Sequence, residues 1–336
     1  MILDEVYKKL VRISIGRESD FSLPGEVDWT KVYGLSVKNG VSSLALDGIK
    51  RIYETDPKIV ASFYEQSNKP LRLKWYSTMV SLESMNSLQN KRAEELTRIF
   101  SDAGFRSCVL KGQGVALLYP EPSLRQPGDI DIWVSPYCSK GNIGQDRISV
   151  IEFLKSKWKT EKPVYHHVEA EIFKDVHVEV HYVPAWLYNP FHNRKLQAFF
   201  KEQSATQFSN KTVKGFNAPD TYFNLVYSAI HLFKHTFTED LLFKQLVDYS
   251  VILQASTGKE RSDAYSLLKS LGLKDYMKWL MWKMKQDCGV PEEYLLCPVP
   301  ETVPKCSKPF GETVFTTPWR IWHYFWRKRL AHSMGI

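Results

Sequence analysis

Residues 128–134 read GDIDIWV, an apolar run with an aspartate at every second position of its first half. On a β-strand, residues i and i+2 face the same side. Asp129 and Asp131 therefore project together, while Ile130, Ile132 and Val134 enter a core from behind. Few folds accommodate that pattern. The chain needs a sheet packed on one face and, on the other, a cleft that tolerates two like charges, since burying them unpaired is expensive.

The periodicity on either side sets the frame for that sheet. Over the first hundred residues, LDEVYKKLVRIS, DWTKVYGLSVKNGVSSLALDGIKRIY, PKIVASFYEQS and LRLKWYSTMVSLESMNSLQNKRAEELTRIFSDAG place apolar residues three and four apart, the spacing of amphipathic helices. Asp28 reads as an N-cap, Pro57 as a first-turn residue and Gly104 as a C-cap. Between 105 and 185 the runs FRSCVL, DIDIWV, VEAEIF and VHVEVHYV are short and β-rich, with helical stretches near 112–119 and 145–158 between them. Lys174 and Asp175 read as a tight hairpin turn between the last two runs. From Ala218 the helical period returns, in APDTYFNLVYSAIHLFKHTF, EDLLFKQLVDYSVILQAS and RSDAYSLLKSLGLKDYMKWLMWKMKQDCG. The pattern predicts an α+β protein, with a small mixed-sheet domain at 105–185 between a helical region at 1–104 and a mainly helical one at 186–336.

A hard cation removes the conflict between Asp129 and Asp131. Mg²⁺ takes carboxylates, waters and substrate phosphates in octahedral geometry, so D-x-D at a strand edge fits a nucleotide–metal site. Gly128 stands at the loop-to-strand junction before the pair. A third acid, Glu179 in VHVEVH, faces the same cleft if its strand pairs beside the first. Glu169 and Glu171 compete for that position, and strand register decides among the three. Upstream, VLKGQGVALLYP sets Lys111, Gly112, Gln113 and Gly114 between a strand and a helix, the form of an anion-binding turn, although it lacks the G-x-x-x-x-G-K-[ST] phosphate-loop pattern. Arg125, four residues before Asp129, is placed to reach phosphates.

Taken together, LKGQGVALLY, RQPGDIDIWV and VHVEVH resemble the polymerase-β-like nucleotidyltransferase superfamily. More narrowly they resemble its uncharacterised bacterial branch, with Lys-Gly at the first turn and R-x-x-G-D-x-D after it. HLFKHTFTEDLLFKQLVD, with His231, His235 and Asp248, is similar to the helical segment that follows in that branch, and the resemblance spans roughly 105–255. It implies a mixed sheet in which Asp129 and Asp131 hold Mg²⁺ or Mn²⁺ against the triphosphate of an NTP such as ATP, with Glu179 as a third ligand that helps deprotonate the acceptor. By the same resemblance Lys111, Gly112, Gln113, Arg125 and Gly128 bind the nucleotide. The superfamily's usual Gly-Ser at the first turn is here Lys111-Gly112-Gln113. The reaction implied is transfer of a nucleoside monophosphate to a hydroxyl, phosphate or amine on RNA, protein or a small molecule. The alternative is a non-catalytic nucleotide- or RNA-binding module that keeps the fold.

Four histidines, His166, His167, His177 and His181, crowd the same region, and His177 and His181 alternate in phase with Glu179. No H-E-x-x-H motif accompanies them, so they read as lining a polar cleft or contacting phosphate rather than as metal ligands. His231 and His235, at i and i+4, share a helix face; they read either as closing the substrate pocket or as packing and hydrogen-bonding within the helical layer. The net charge of +8 favours polyanionic partners, and the five cysteines form no C-x-x-C pair, which excludes a disulfide framework or zinc-finger reading. No apolar run reaches the roughly 18 residues of a membrane span, and the first twenty residues lack a signal-peptide core, so a cytoplasmic location is expected. The Pro-rich CPVPETVPKCSKP leads to an aromatic and basic tail, TPWRIWHYFWRKRLAHSM, which reads first as a terminal helix docking its aromatics on the core, the alternatives being stacking on single-stranded nucleic acid or lying at a membrane interface.

Overall fold

A computed structural model describes residues 2–24, 26–139, 141–238, 241–304 and 306. The aromatic and basic tail lies outside the described residues. Five helices come first: α1 (Ile2–Ser14), α2 (Trp29–Lys38), α3 (Ser42–Thr55), α4 (Ala61–Gln66) and the long α5 (Lys69–Asp102). The Asp28 side chain accepts from Lys31 N, capping α2, and α5 gives way to Gly104 as its sequence predicts. Pro57 instead sits in the irregular turn before α4.

The sheet follows, interleaved with helices: β1 (Phe105–Val109), α6 (Gln113–Ala116), β2 (Ile130–Pro136), α7 (Ile143–Lys157), β3 (His167–Glu169) and β4 (Val178–His181). Its spatial order is β1-β2-β4-β3, with β2 and β4 parallel and the outer pairs antiparallel. Parallel pairing of β2 with β4 requires a crossover, supplied by α7 and β3. Two expectations are corrected here. The helix predicted over 112–119 is only a four-residue turn of helix, and the connection between β3 and β4 is an eight-residue loop, 170–177, rather than a tight turn at Lys174-Asp175. Neither residue there supplies the positive φ that a two-residue hairpin needs.

Four further helices complete the C-terminal part that concerns the site and its support: α8 (Pro190–Gln207), α9 (Thr221–Thr238), α10 (Phe243–Ala255) and α11 (Gly258–Ser270), followed by α12 (Lys274–Cys288). The result is the predicted α+β fold, a small mixed sheet flanked by helices. Among the described residues no helix is long and apolar enough to cross a membrane, and all five cysteines are unbridged.

Two apolar cores hold the molecule, and their limits differ from those of the periodicity. One core gathers Leu10, Leu46, Phe63 and Trp75 from the N-terminal helices with Phe223, Tyr249, Tyr276 and Met281 from the C-terminal ones, so the two helical regions pack as a single layer. The second lies behind the sheet and joins Ile130, Ile132, Val134 and Val180 to Leu154 of α7 and to Leu96 and Phe100 of α5. The last turns of α5 thus belong with the sheet. The alternation in DIDIWV accounts for the seam: Ile130, Ile132 and Val134 enter the second core, while Trp133 points the other way, against Phe208 and Phe223 at centroid distances of 4.4 and 5.9 Å.

Candidate active site

Asp131 lies on the Trp133 side of β2, where the helical layer stops short of the sheet and leaves a cleft. Parallel register places Asp131 directly opposite Glu179 on β4, and antiparallel register places Glu169 of β3 opposite Glu179 on its other side. Register therefore sets the three candidate acids at different distances from Asp131. Glu179 is the neighbour of Asp131, Glu169 stands one strand further out and is exposed, and Glu171 lies in the loop, paired with Lys159 at 2.6 Å. Asp129 immediately precedes β2 and is half-buried at the cleft wall, whereas the Asp131 side chain is almost fully enclosed.

Lys111 reaches this carboxylate because β1 continues its pairing past Val109: Leu110 N donates to Asp131 O at 2.9 Å, bringing the next residue alongside. The Lys111 Nζ then lies 3.1 Å from Asp131 Oδ2. On the other carboxylate oxygen, His181 Nε2 is 3.0 Å away and also 3.3 Å from Glu179 Oε2, while His167 Nδ1 is 3.7 Å from the same Glu179 oxygen. Gly112 turns the chain into α6 with φ +58°, a conformation that a side chain resists, and a Cβ there would lie 3.6 Å from Asp129 O.

The charges in this cluster pull against one another. Burial and the neighbouring Asp131 hold the Asp129 carboxyl above its ordinary pKa. Burial would raise Asp131 too, but Lys111 and His181 outweigh it and keep Asp131 ionised well below the usual range. Burial opposes ionisation of Glu179 as well, and the hydrogen bond from His181 overcomes it, so that its pKa falls. His181 is desolvated, yet Asp131 and Glu179 raise its pKa; Lys111 likewise stays protonated against burial through Asp131, Asp129 and Glu179. His166, buried near His181 and Lys234, is driven down to about 2 and is neutral at physiological pH.

The cleft has a volume of ≈ 640 Å³, within the range of small-molecule sites, and Lys111, Gly112, Gly128, Asp129 and Glu179 line its sheet side. Its opposite wall comes from helices: His231, Lys234 and His235 of α9, Lys244 and Asp248 of α10, with Trp186 and Tyr188 from the loop before α8. The Lys234 ammonium lies 4.3 Å from the Trp186 ring centre, and burial followed by Arg125 lowers the Lys244 pKa. Of the two readings of His231 and His235, the structure places both at the cleft, with ring centroids 4.3 Å apart. Trp186, Lys234 and Lys244 escape a reading of the sequence because nothing in their local pattern separates them from ordinary helix or loop residues.

Two residues expected at the nucleotide are placed differently. Gln113 is buried against α5, its amide donating to Asn86 O at 3.2 Å and Asn90 Oδ1 at 2.9 Å, and it does not line the cleft. Arg125 borders the cleft, but its guanidinium is committed to both oxygens of Asp248, at 2.7 and 2.8 Å, and Tyr119 Oη donates to the same carboxylate at 2.6 Å. A buried fork–fork pair of this kind locks α10 to the loop before β2; it leaves little of the guanidinium for phosphate. His177 is exposed on the far side of β4's first residue, its carbonyl accepting from Ile130 N, rather than beside Glu179.

The family model described as uncharacterised nucleotidyltransferase matches residues 25–282, and the chain belongs to that family. No curated protein matches the chain. Among solved structures, the crystal structure of an antigenic nucleotidyltransferase-like protein from Paracoccidioides brasiliensis is similar at 11% identity and a TM-score of 0.36, covering 60% of this chain and 92% of that one.

Proposed function

We propose that the protein transfers a nucleoside monophosphate from an NTP to an acceptor bound in the cleft, with Asp129, Asp131 and Glu179 holding Mg²⁺ or Mn²⁺. The observation that carries this reading is the register of β2 against β4, which makes Asp131 and Glu179 immediate neighbours with Asp129 two residues upstream. Asp131 and Glu179 approach one another closely, and Asp129 at the cleft wall, its pKa raised by burial and by Asp131, adds a further carboxylate to an anionic oxygen set that suits a hard divalent ion. When bound, such an ion neutralises charge on the phosphates and holds the reacting oxygens in line.

The chain's own groups supply the rest. Lys111, partly exposed at the cleft and 3.1 Å from Asp131 Oδ2, would be free to meet the triphosphate were a metal ion to take its place at Asp131. Gly112 and Gly128 keep the approach to Asp129 free of side chains. Glu179, held ionised by His181 and open to the cleft, takes the proton of the attacking hydroxyl, phosphate or amine. Incubation with labelled NTPs, Mg²⁺ or Mn²⁺ and panels of RNA, protein and small-molecule acceptors tests the proposal. Transfer that disappears in a folded Asp129→Ala variant supports it; equal transfer in that variant removes the three acids from the reaction.

One observation favours the second reading, a nucleotide- or RNA-binding module without turnover. Lys111 already pairs with Asp131, whose side chain is 1% exposed. Calorimetry separates the two: NTP affinity that is indifferent to Mg²⁺, with no transfer to any acceptor, selects the binding module.

A further inference from the structure

His166 and His167 are consecutive residues, and on a regular strand their side chains would face opposite sides of the sheet. They do not, because His166 lies in the bend just ahead of β3 and turns back beside its neighbour. The rings of His166 and His167 lie 4.4 Å apart between centroids, and both close on His181 of β4, at 5.4 and 5.1 Å. One nitrogen from each of the three falls within 4.8 Å of the other two, and His166 Nε2 is 3.1 Å from His167 Nδ1.

We infer that His166, His167 and His181 form a transition-metal site, of the Zn²⁺ class, separate from the position held by Asp129 and Asp131. Imidazole nitrogens suit borderline ions such as Zn²⁺, whereas Mg²⁺ selects oxygen and makes little use of them. Glu179 Oε2, at 3.3 Å from His181 Nε2 and 3.7 Å from His167 Nδ1, is the available fourth ligand. His166 and His167 line the cleft, which gives an ion a path in. A zinc ion there would compete with Asp131 for His181 Nε2 and with the carboxylate cluster for Glu179.

Equilibrium dialysis of the full chain against Zn²⁺ in a large excess of Mg²⁺ tests this site, with Co²⁺ substitution as a spectroscopic report of nitrogen ligation. One zinc per chain is expected, with affinity reduced at least about tenfold in His166→Asn and in His167→Asn. Asp129→Asn, which alters none of the four ligands, keeps its zinc. The asparagine variants preserve a polar side chain of moderate size, and thermal unfolding without zinc verifies that they fold. No zinc retained in the presence of Mg²⁺, or equal retention by both histidine variants, overturns the site. The zinc site rests partly on Glu179, which the proposed reaction also uses, so transfer is assayed on the zinc-free chain: no transfer there counts against the reaction alone and leaves the zinc site standing.

Discussion

Two buried carboxylates, Asp131 and Asp248, meet cations in this molecule, and they do so in opposite ways. Asp248 faces one guanidinium that it fills, with Arg125 forked onto both oxygens and Tyr119 completing the set. Asp131 faces a lysine and a histidine that it shares with Glu179, while Asp129 adds a further negative charge. Both clusters border the cleft, but the first is balanced charge for charge, whereas the second has more acid than its partners neutralise. An ion pair complete in itself ties elements together. An incomplete one, kept at the expense of burying charge, marks a place where another charge belongs.

The largest effects should separate the two clusters. Asp248→Ala leaves Arg125 buried without its partner, and urea unfolding should register a loss of about 3–5 kcal/mol. Asp131→Asn should cost less, about 1–3 kcal/mol, because Lys111 can swing into the cleft and His181 can release its proton. The same Asp131→Asn change should lower nucleotidyl transfer about a thousandfold, the ~4 kcal/mol of charge stabilisation expected of a metal ligand. Comparable destabilisation by the two variants would erase the distinction between a tie and a site.

A smaller effect concerns Lys111. If this lysine holds the place of a cation, Lys111→Met should raise the Mg²⁺ affinity of the nucleotide-free chain by about tenfold, or ~1.4 kcal/mol, while weakening NTP binding. Calorimetric titration with Mg²⁺ alone and then with NTP reads both. A variant that loses Mg²⁺ affinity in both titrations would make Lys111 a support for Asp131 and not a stand-in.

The smallest effect is a pH dependence. Asp131 and Glu179 raise the His181 pKa on folding, so the stability that His181 contributes is fully present below its unfolded value, about 6.5, and is lost as pH rises through the folded one. The Tm difference between the wild type and His181→Gln should therefore be widest between about pH 5 and 6.5 and shrink on the alkaline side. A difference that grows with pH would mean that His181 is neutral in the folded chain.

How much of this could be read beforehand differs between the same two regions. The sheet wall was legible because alternation fixes faces: DIDIWV placed Ile130 and Ile132 in a core and the aspartates on the other side, and VHVEVH offered Glu179 in phase. The choice of Glu179 over Glu169 and Glu171 needed the β2–β4 register, which depends on contacts between strands distant in sequence. Arg125 and Gln113 were misplaced for a similar reason. Their residue types suit phosphate binding, but Asp248 and Asn90, far away in the chain, claim their donors first. The helical wall was least legible. Lys234 and Lys244 carry no local mark in the sequence.

The account is tested most directly by a structure of the chain with a non-hydrolysable NTP and Mg²⁺. It predicts metal bound by carboxylate oxygens of Asp129, Asp131 and Glu179, with Lys111 Nζ moved from Asp131 onto the phosphates. Nucleotide bound with Lys111 still against Asp131, and no metal at the three acids, would contradict it.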